Sequence, residues 1–186
     1  MCEMASFVVT KKRVFWSETS DSHEDIIEQF KLKEQDVRGN YTFVRTEIVP
    51  ENLDYRKPIK QWKYKLDQDL RPKWYDEKEV ERRCRLALKD WYKACVIPPS
   101  KTVKELTSNI KIVLGTVQEV RNGGTVQEVR NGGTVQEVWN GGTVQEVRSG
   151  GTVRTYTPLP LDILKSASAV LVDRSGKTVV CHVGKN

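Results

Sequence analysis

The sequence predicts an α+β N-terminal module followed by a short parallel β-solenoid with a C-terminal hairpin cap. Three observations predict it. From Gly115 a nine-residue unit, G-T-V-Q-E-V-R-N-G, recurs almost letter for letter, with Trp139 replacing Arg in the third copy and Ser149 replacing Asn in the fourth. Before it, β-rich segments alternate with two helical patterns. After it, Ala169 to Val172 and Thr178 to Val183 flank a Gly-containing loop. The implied divisions are 1–100 for the module, 101–157 for the solenoid and 158–186 for the capping segment.

The repeat admits two architectures. In an antiparallel meander the Asn-Gly steps would be type I′ hairpin turns. Strands alternate faces at every residue, so Val117 and Val120, three apart, would then point to opposite sides. In a parallel solenoid equivalent residues stack, and nine residues are too few to enclose a core. Two units, about 18 residues, make one coil. Val117 then lies under Val135 and Val153, Val120 under Val138, Val126 under Val144, and Val129 under Val147. A bend between the two valines turns both inward, and the Asn-Gly-Gly corner supplies residues that tolerate positive φ. The solenoid is the preferred architecture. Its Glu columns (Glu119/Glu137, Glu128/Glu146) are expected to face water, relieved by Arg121, Arg130 and Arg148. The coils need caps from the flanking segments.

In the module, Phe7 to Phe15 reads as a strand or hairpin around Lys11-Lys12-Arg13. Ser22 with Asp25 three residues on reads as a helix N-cap, followed by an apolar face of Ile26, Ile27, Phe30 and Leu32. Arg38-Gly39-Asn40 reads as a turn. Tyr41 to Val49 is a strand stopped by Pro50. Ile59 to Leu66 is a half-buried strand with Trp62, Tyr64 and Leu66 inward. Asp76 caps the longest helix, whose buried stripe is Val80, Cys84, Leu88, Trp91 and Cys95. Pro98-Pro99 ends it. Thr102 to Leu106 is a degraded T-V-Q-E-V, continued by Ile110, Ile112 and Leu114. The C-terminal hairpin is expected to cover the open edge of the last coil.

The chain has 31 Lys and Arg against 25 Asp and Glu, a net charge of +6, and a mean hydropathy of −0.56. Those values, with no apolar run near ~20 residues and no signal-peptide pattern at Met1, predict a cytoplasmic protein. The four cysteines, Cys2, Cys84, Cys95 and Cys181, are scattered and show no paired metal or redox motif. Cys84 and Cys181 read as buried.

The Trp62-x-Tyr64-x-x-Asp67-x-Asp69 and Pro72-x-Trp74-Tyr75 pattern, the Asp-capped charged helix, the Val-rich repeats and the closing A-V-L-V-D-R strand together resemble a group of repeat proteins from phages and gut bacteria. The resemblance covers most of the chain. It implies a mobile-element origin in a bacterial cell and carries no catalytic residue.

No nucleotide-binding, hydrolase or metalloprotease motif is present. His23 sits among Glu18, Asp21, Glu24 and Asp25, which is read as a helix start before a metal or acid–base site. His182 and Cys181 alternate in a strand and should face apart. No enzyme activity, cofactor or metal is expected. Trp16, Trp62, Trp74 and Trp91 fit core positions. Trp139 stands where the repeat has Arg, so Arg121, Arg130, Trp139 and Arg148 are candidates for binding a protein partner. That partner is expected to be a host protein, including a component of a bacterial defence system. The alternative is a nucleic-acid accessory role through Lys11, Lys12, Arg13, Lys60, Lys63, Lys65, Arg82, Arg83 and Arg85. Self-association through the solenoid ends is a further expectation.

Overall fold

A computed structural model describes residues 5–185. The chain forms two compact units, 1–92 and 93–186.

The first unit is built on an antiparallel sheet of β1 (Ser6–Thr10), β2 (Val14–Phe15), β3 (Phe43–Val49) and β4 (Lys63–Leu66), in the order β2-β1-β3-β4. The basic hairpin at Lys11-Lys12-Arg13 joins β1 to β2, as expected. Helix α1 (His23–Gln29) is capped by the Ser22 side chain, which accepts from the Asp25 amide. It lays Ile26 against Val8 and Phe43, with Phe15, Ile27 and Leu32 at the margin. Phe30, expected in the apolar face, is 39% exposed, because the helix ends there.

Helix α2 (Glu77–Cys95) follows the Asp76 cap, whose carboxylate accepts from the Glu79 amide at 2.9 Å. Its predicted stripe is buried at Val80, Cys84, Leu88, Trp91 and Cys95. Burial pushes the Cys84 thiol up to about 11, against a smaller lowering by the Thr46 hydroxyl. Trp62 centres an aromatic cluster with Tyr55, Trp91 and Tyr92, and its indole N–H donates to the Lys57 carbonyl. The strand expected from Ile59 is shorter, because Pro58 opens a single 3-10 turn over Ile59–Gln61.

The second unit is the solenoid. Its strands are β5 (Val96–Ile97), β6 (Thr102–Leu106), β7 (Asn109–Val113), β8 (Thr116–Val120), β9 (Thr125–Val129), β10 (Thr134–Val138), β11 (Thr143–Val147), β12 (Thr152–Thr155), β13 (Val170–Asp173) and β14 (Val180–Val183). They form two sheets, β14-β13-β12-β10-β8-β6 and β11-β9-β7-β5. Successive nine-residue units therefore alternate between sheets, and the unit two places on stacks in parallel. Val117 pairs with Val135, Val120 with Val138, Val126 with Val144, and Val129 with Val147. All eight are at most 2% exposed, so both valines of each unit point inward, as the bend requires. Fully burying each is worth ~1.5–3 kcal/mol.

The degraded unit stacks as its letters suggest, with Val103 under Val117 and Leu106 under Val120. In β7 the inward positions are Ile110 and Val113, which pair with Val126 and Val129. Ile112 and Leu114, read from the sequence as the continuation, are buried at 0% and 3% exposure but lie outside the valine cluster, because the inward spacing is three and not two.

The two glycines of each corner do different work. Gly132 has φ of +87°, a left-handed value that glycine takes freely. Its neighbour Gly133 lies so close to the rung below that an added Cβ would stand 2.0 Å from the Val113 carbonyl oxygen.

The C-terminal segment covers the edge of the last coil, as expected, and corrects one expectation, the burial of Cys181. A 3-10 turn (Leu161–Ile163) buries Ile163 at the end of one sheet. Then β13 adds to β12 in parallel and β14 reverses onto β13. The hairpin thus extends the sheet, and its own outer strand becomes the edge, with Val180 and Val183 at 42% and 57% exposure and Val179 just before it at 62%. Cys181 is exposed for the same reason. Cys2 lies outside the described residues.

Replacing Val135 by Asp should lower solenoid stability by about 3–5 kcal/mol, the cost of an unpaired buried charge. The same change at the exposed neighbour Gln136 should shift the melting temperature little. Thermal unfolding of both variants checks the pair. Substituting Cys181 by Ser should abolish one equivalent of fast thiol labelling, while Cys84 and Cys95 react only on unfolding.

Candidate functional site

Where equivalent residues stack, a column is chemically uniform unless the repeat is broken. The column beginning at Arg121 is broken twice. Backbone hydrogen bonds run up it, from the Trp139 amide to the Val120 carbonyl, from Tyr156 to Val138 and from Arg174 to Thr155. Along it the side chains form a continuous stack. The Arg121 guanidinium lies 5.2 Å from the Trp139 ring centre. Trp139 and Tyr156 stack at 4.6 Å with 5° between planes. Arg174 closes the column, 6.0 Å from the Tyr156 ring and within 3.2 Å of its hydroxyl. Two cations thus sandwich two aromatic rings, an arrangement favoured by the negative ring faces. Glu119 holds Arg121 at 2.6 Å, and Glu137 accepts from the Trp139 indole N–H at 2.9 Å.

Arg121 and Trp139 therefore share one side, while Arg130 and Arg148 belong to the other sheet. The four candidates do not form one surface. Arg130 is 7% exposed and Glu128 9%. They pair at 2.9 Å, and Arg148 reaches both Glu128 at 3.3 Å and Glu146 at 2.6 Å. The expected relief of the Glu columns by Arg is present. The expectation that the whole Glu column faces water fails at Glu128, which the two arginines cover. Trp139 is half-buried by its neighbours. Tyr156 and Arg174, which complete the stack, were not singled out in the sequence. Their signal was their place in the column, with Tyr156 two coils beyond Arg121 and Arg174 one rung further, after the first hairpin strand.

The basic residues of the first unit are dispersed. Lys11, Lys12 and Arg13 are exposed on the hairpin, and Lys11 and Lys12 line a shallow cleft with Trp74, Asp76, Glu79 and Arg83. Lys63 pairs with Glu51, Lys65 with Glu47 and Asp67, Arg82 with Glu79, and Arg85 with Glu81. Arg83 donates to the Thr10 and Lys11 carbonyls. Trp16 and Trp74, expected in the core, are half-buried. Trp16 lines an open groove of about 670 Å³ with Arg13, Phe15 and Phe30.

His23 is buried, 1% exposed, but its setting is not the acidic run around it. Asp25 and Glu24 are engaged by Ser20 and Ser22 at the helix start. The fold instead brings His23 to Glu47 of β3 and Asp67 after β4, and donor atoms of the three lie within 4.8 Å of one another. Lys65 Nζ stands 3.4 Å from Glu47 and 3.2 Å from Asp67. Its ammonium is raised above the ordinary lysine range, first by the Asp67 hydrogen bond and then by the charge of Glu47.

No family model, curated protein or solved structure matches the chain. What fold and site define is a repeat solenoid joined in sequence to an α+β module, an architecture consistent with an interaction scaffold. Among the described residues no helix is long and apolar enough to cross a membrane.

Replacing Tyr156 by Ala should cost ~1 kcal/mol through loss of the ring stack, beyond the lost burial. It should also red-shift the fluorescence assigned to Trp139 by difference from Trp139→Phe. Chemical denaturation and emission spectra check both.

Proposed function

We propose that the chain is a non-enzymatic interaction protein that grips a protein partner with the Arg121–Trp139–Tyr156–Arg174 side of its solenoid. The observation that carries this reading is the stack itself. In a chain of nearly identical units, two departures from the repeat, Trp139 and Tyr156, are neighbours in space and are flanked by Arg. These are the residue types that dominate binding energy at protein interfaces. Held by the rungs beneath them, they lose little rotamer freedom on binding, which lowers the entropic cost of association. The resemblance to phage and gut-bacterial repeat proteins supports a mobile-element origin and a host protein as the partner, including a bacterial defence component.

Nucleic-acid binding is the weaker reading. Lys63, Lys65, Arg82 and Arg85 face carboxylates that would have to be displaced, and Lys11 and Lys12 lie beside Asp76 and Glu79. Self-association has a specific surface in its favour, the apolar edge strand β14. Sedimentation of the wild type against Val180→Lys tests it: a dimer lost in the variant supports edge pairing, and a wild-type monomer rules it out.

The principal test compares capture from bacterial lysate by the wild type and by Trp139→Ala and Arg174→Ala, with binding of the captured protein then measured in purified form. The reading predicts a loss of at least about 2 kcal/mol in affinity for Trp139→Ala. Affinity unchanged in both variants would contradict it. Binding to DNA or RNA that falls steeply with salt would favour the alternative.

A further inference from the structure

We infer that His23, Glu47 and Asp67 form a binding site for a first-row divalent cation, of the Mn²⁺ or Zn²⁺ class, with Lys65 as the displaceable occupant of its mouth. The inference begins with the imidazole. Nε2 of His23 lies 3.1 Å from the Thr46 carbonyl oxygen. A carbonyl can only accept, so Nε2 carries the proton. In the neutral ring the lone pair is then on Nδ1, which is turned toward Asp67 Oδ2 at 3.5 Å. Fixing one ring nitrogen on a backbone carbonyl, so that the other presents its lone pair, is how proteins orient a metal-ligating histidine.

The spacing agrees. Nitrogen and oxygen ligands sit about 2.1 Å from such a metal, which puts neighbouring ligand atoms about 3.4 Å apart on the edge of a tetrahedron. The 3.5 Å between Nδ1 and Oδ2 is long for a hydrogen bond and right for that edge. Glu47 completes a cluster whose donor atoms all lie within 4.8 Å. A pair at that limit must close by about 1.4 Å to reach the tetrahedral edge.

Charge and rigidity agree as well. Glu47 has a side chain only 2% exposed, and a carboxylate that deep needs positive charge beside it. Lys65 supplies positive charge from a side chain that is 59% exposed, at 3.4 Å from Glu47. It marks where the field of the two carboxylates is concentrated, and it can swing into water. The ligands come from the start of α1, from β3 and from the residue after β4. The Asp67 amide is itself tied to the Arg45 carbonyl at 2.9 Å. One imidazole with two carboxylates suits Mn²⁺, Fe²⁺ or Zn²⁺ better than Ca²⁺, which takes six to eight oxygens. Three protein ligands leave a position for water on the side where Lys65 lies.

The test uses the full chain, stripped with chelator and titrated with Mn²⁺, which avoids the exposed Cys181 because it is a poor thiolate ligand. Loss of the free-ion paramagnetic resonance signal and calorimetry should both show one equivalent bound, with Zn²⁺ competing and Ca²⁺ not. Asp67→Asn, at a position 35% exposed, should keep the fold and weaken binding about tenfold or more. Lys65→Met should tighten it severalfold, a gain that a merely structural lysine would not give. No saturable binding by the wild type, or binding that neither substitution changes, would overturn the site.

Discussion

Everything in the second unit depends on the stacking of valines at an eighteen-residue interval. One coil cannot bury anything alone, because each unit offers only two inward side chains. Apolar burial appears only when Val117, Val135 and Val153 sit above one another and face the Val126/Val144 column of the opposite sheet. That requirement fixes the rest. It demands a bend within each strand, so that residues three apart share a side. It demands a corner whose backbone packs on the carbonyl of the rung below, where only glycine fits. It also forces glutamates into columns, and each column is stabilised by the arginine two residues further on.

The same constraint explains where specificity can reside. A perfect repeat presents a uniform surface, and a uniform surface recognises nothing in particular. Substitution at one rung places a new side chain directly over its predecessor, so Trp139 necessarily meets Arg121 below and Tyr156 above. The first unit follows a different logic. There the sheet brings distant residues together, and His23, Glu47 and Asp67 meet through strand pairing and helix placement.

This difference is why the two units were unequally legible. The solenoid register could be read from letters alone, because identical units leave one stacking interval that hides both valines. The helix caps at Ser22 and Asp76 were readable for a local reason, since the capping oxygen and the amide it accepts from are three residues apart. The edge character of β14 was not readable. Val179, Val180 and Val183 look like core residues, yet among the described residues no strand pairs with the outer side of β14 and all three are exposed. Arg130 looked like a surface residue because its column is polar, yet Glu128 and Arg148 draw it in. The surroundings of His23 are hidden from the sequence for a related reason. Its sequence neighbours are acidic, but they serve the helix start, and its spatial neighbours lie 24 and 44 residues away in the chain.

Disulfide trapping in a background free of native cysteines measures the stacking interval most directly. Parallel neighbours in register stand ~4.8 Å apart, and facing sheets ~10 Å, while a disulfide spans about 4.4–6.8 Å between Cα atoms. The account predicts that Thr116→Cys paired with Thr134→Cys oxidises readily within one chain, and that Thr116→Cys paired with Thr125→Cys does not. Efficient bridging of the nine-residue pair, with none in the eighteen-residue pair, would contradict the two-sheet coil and everything built on it.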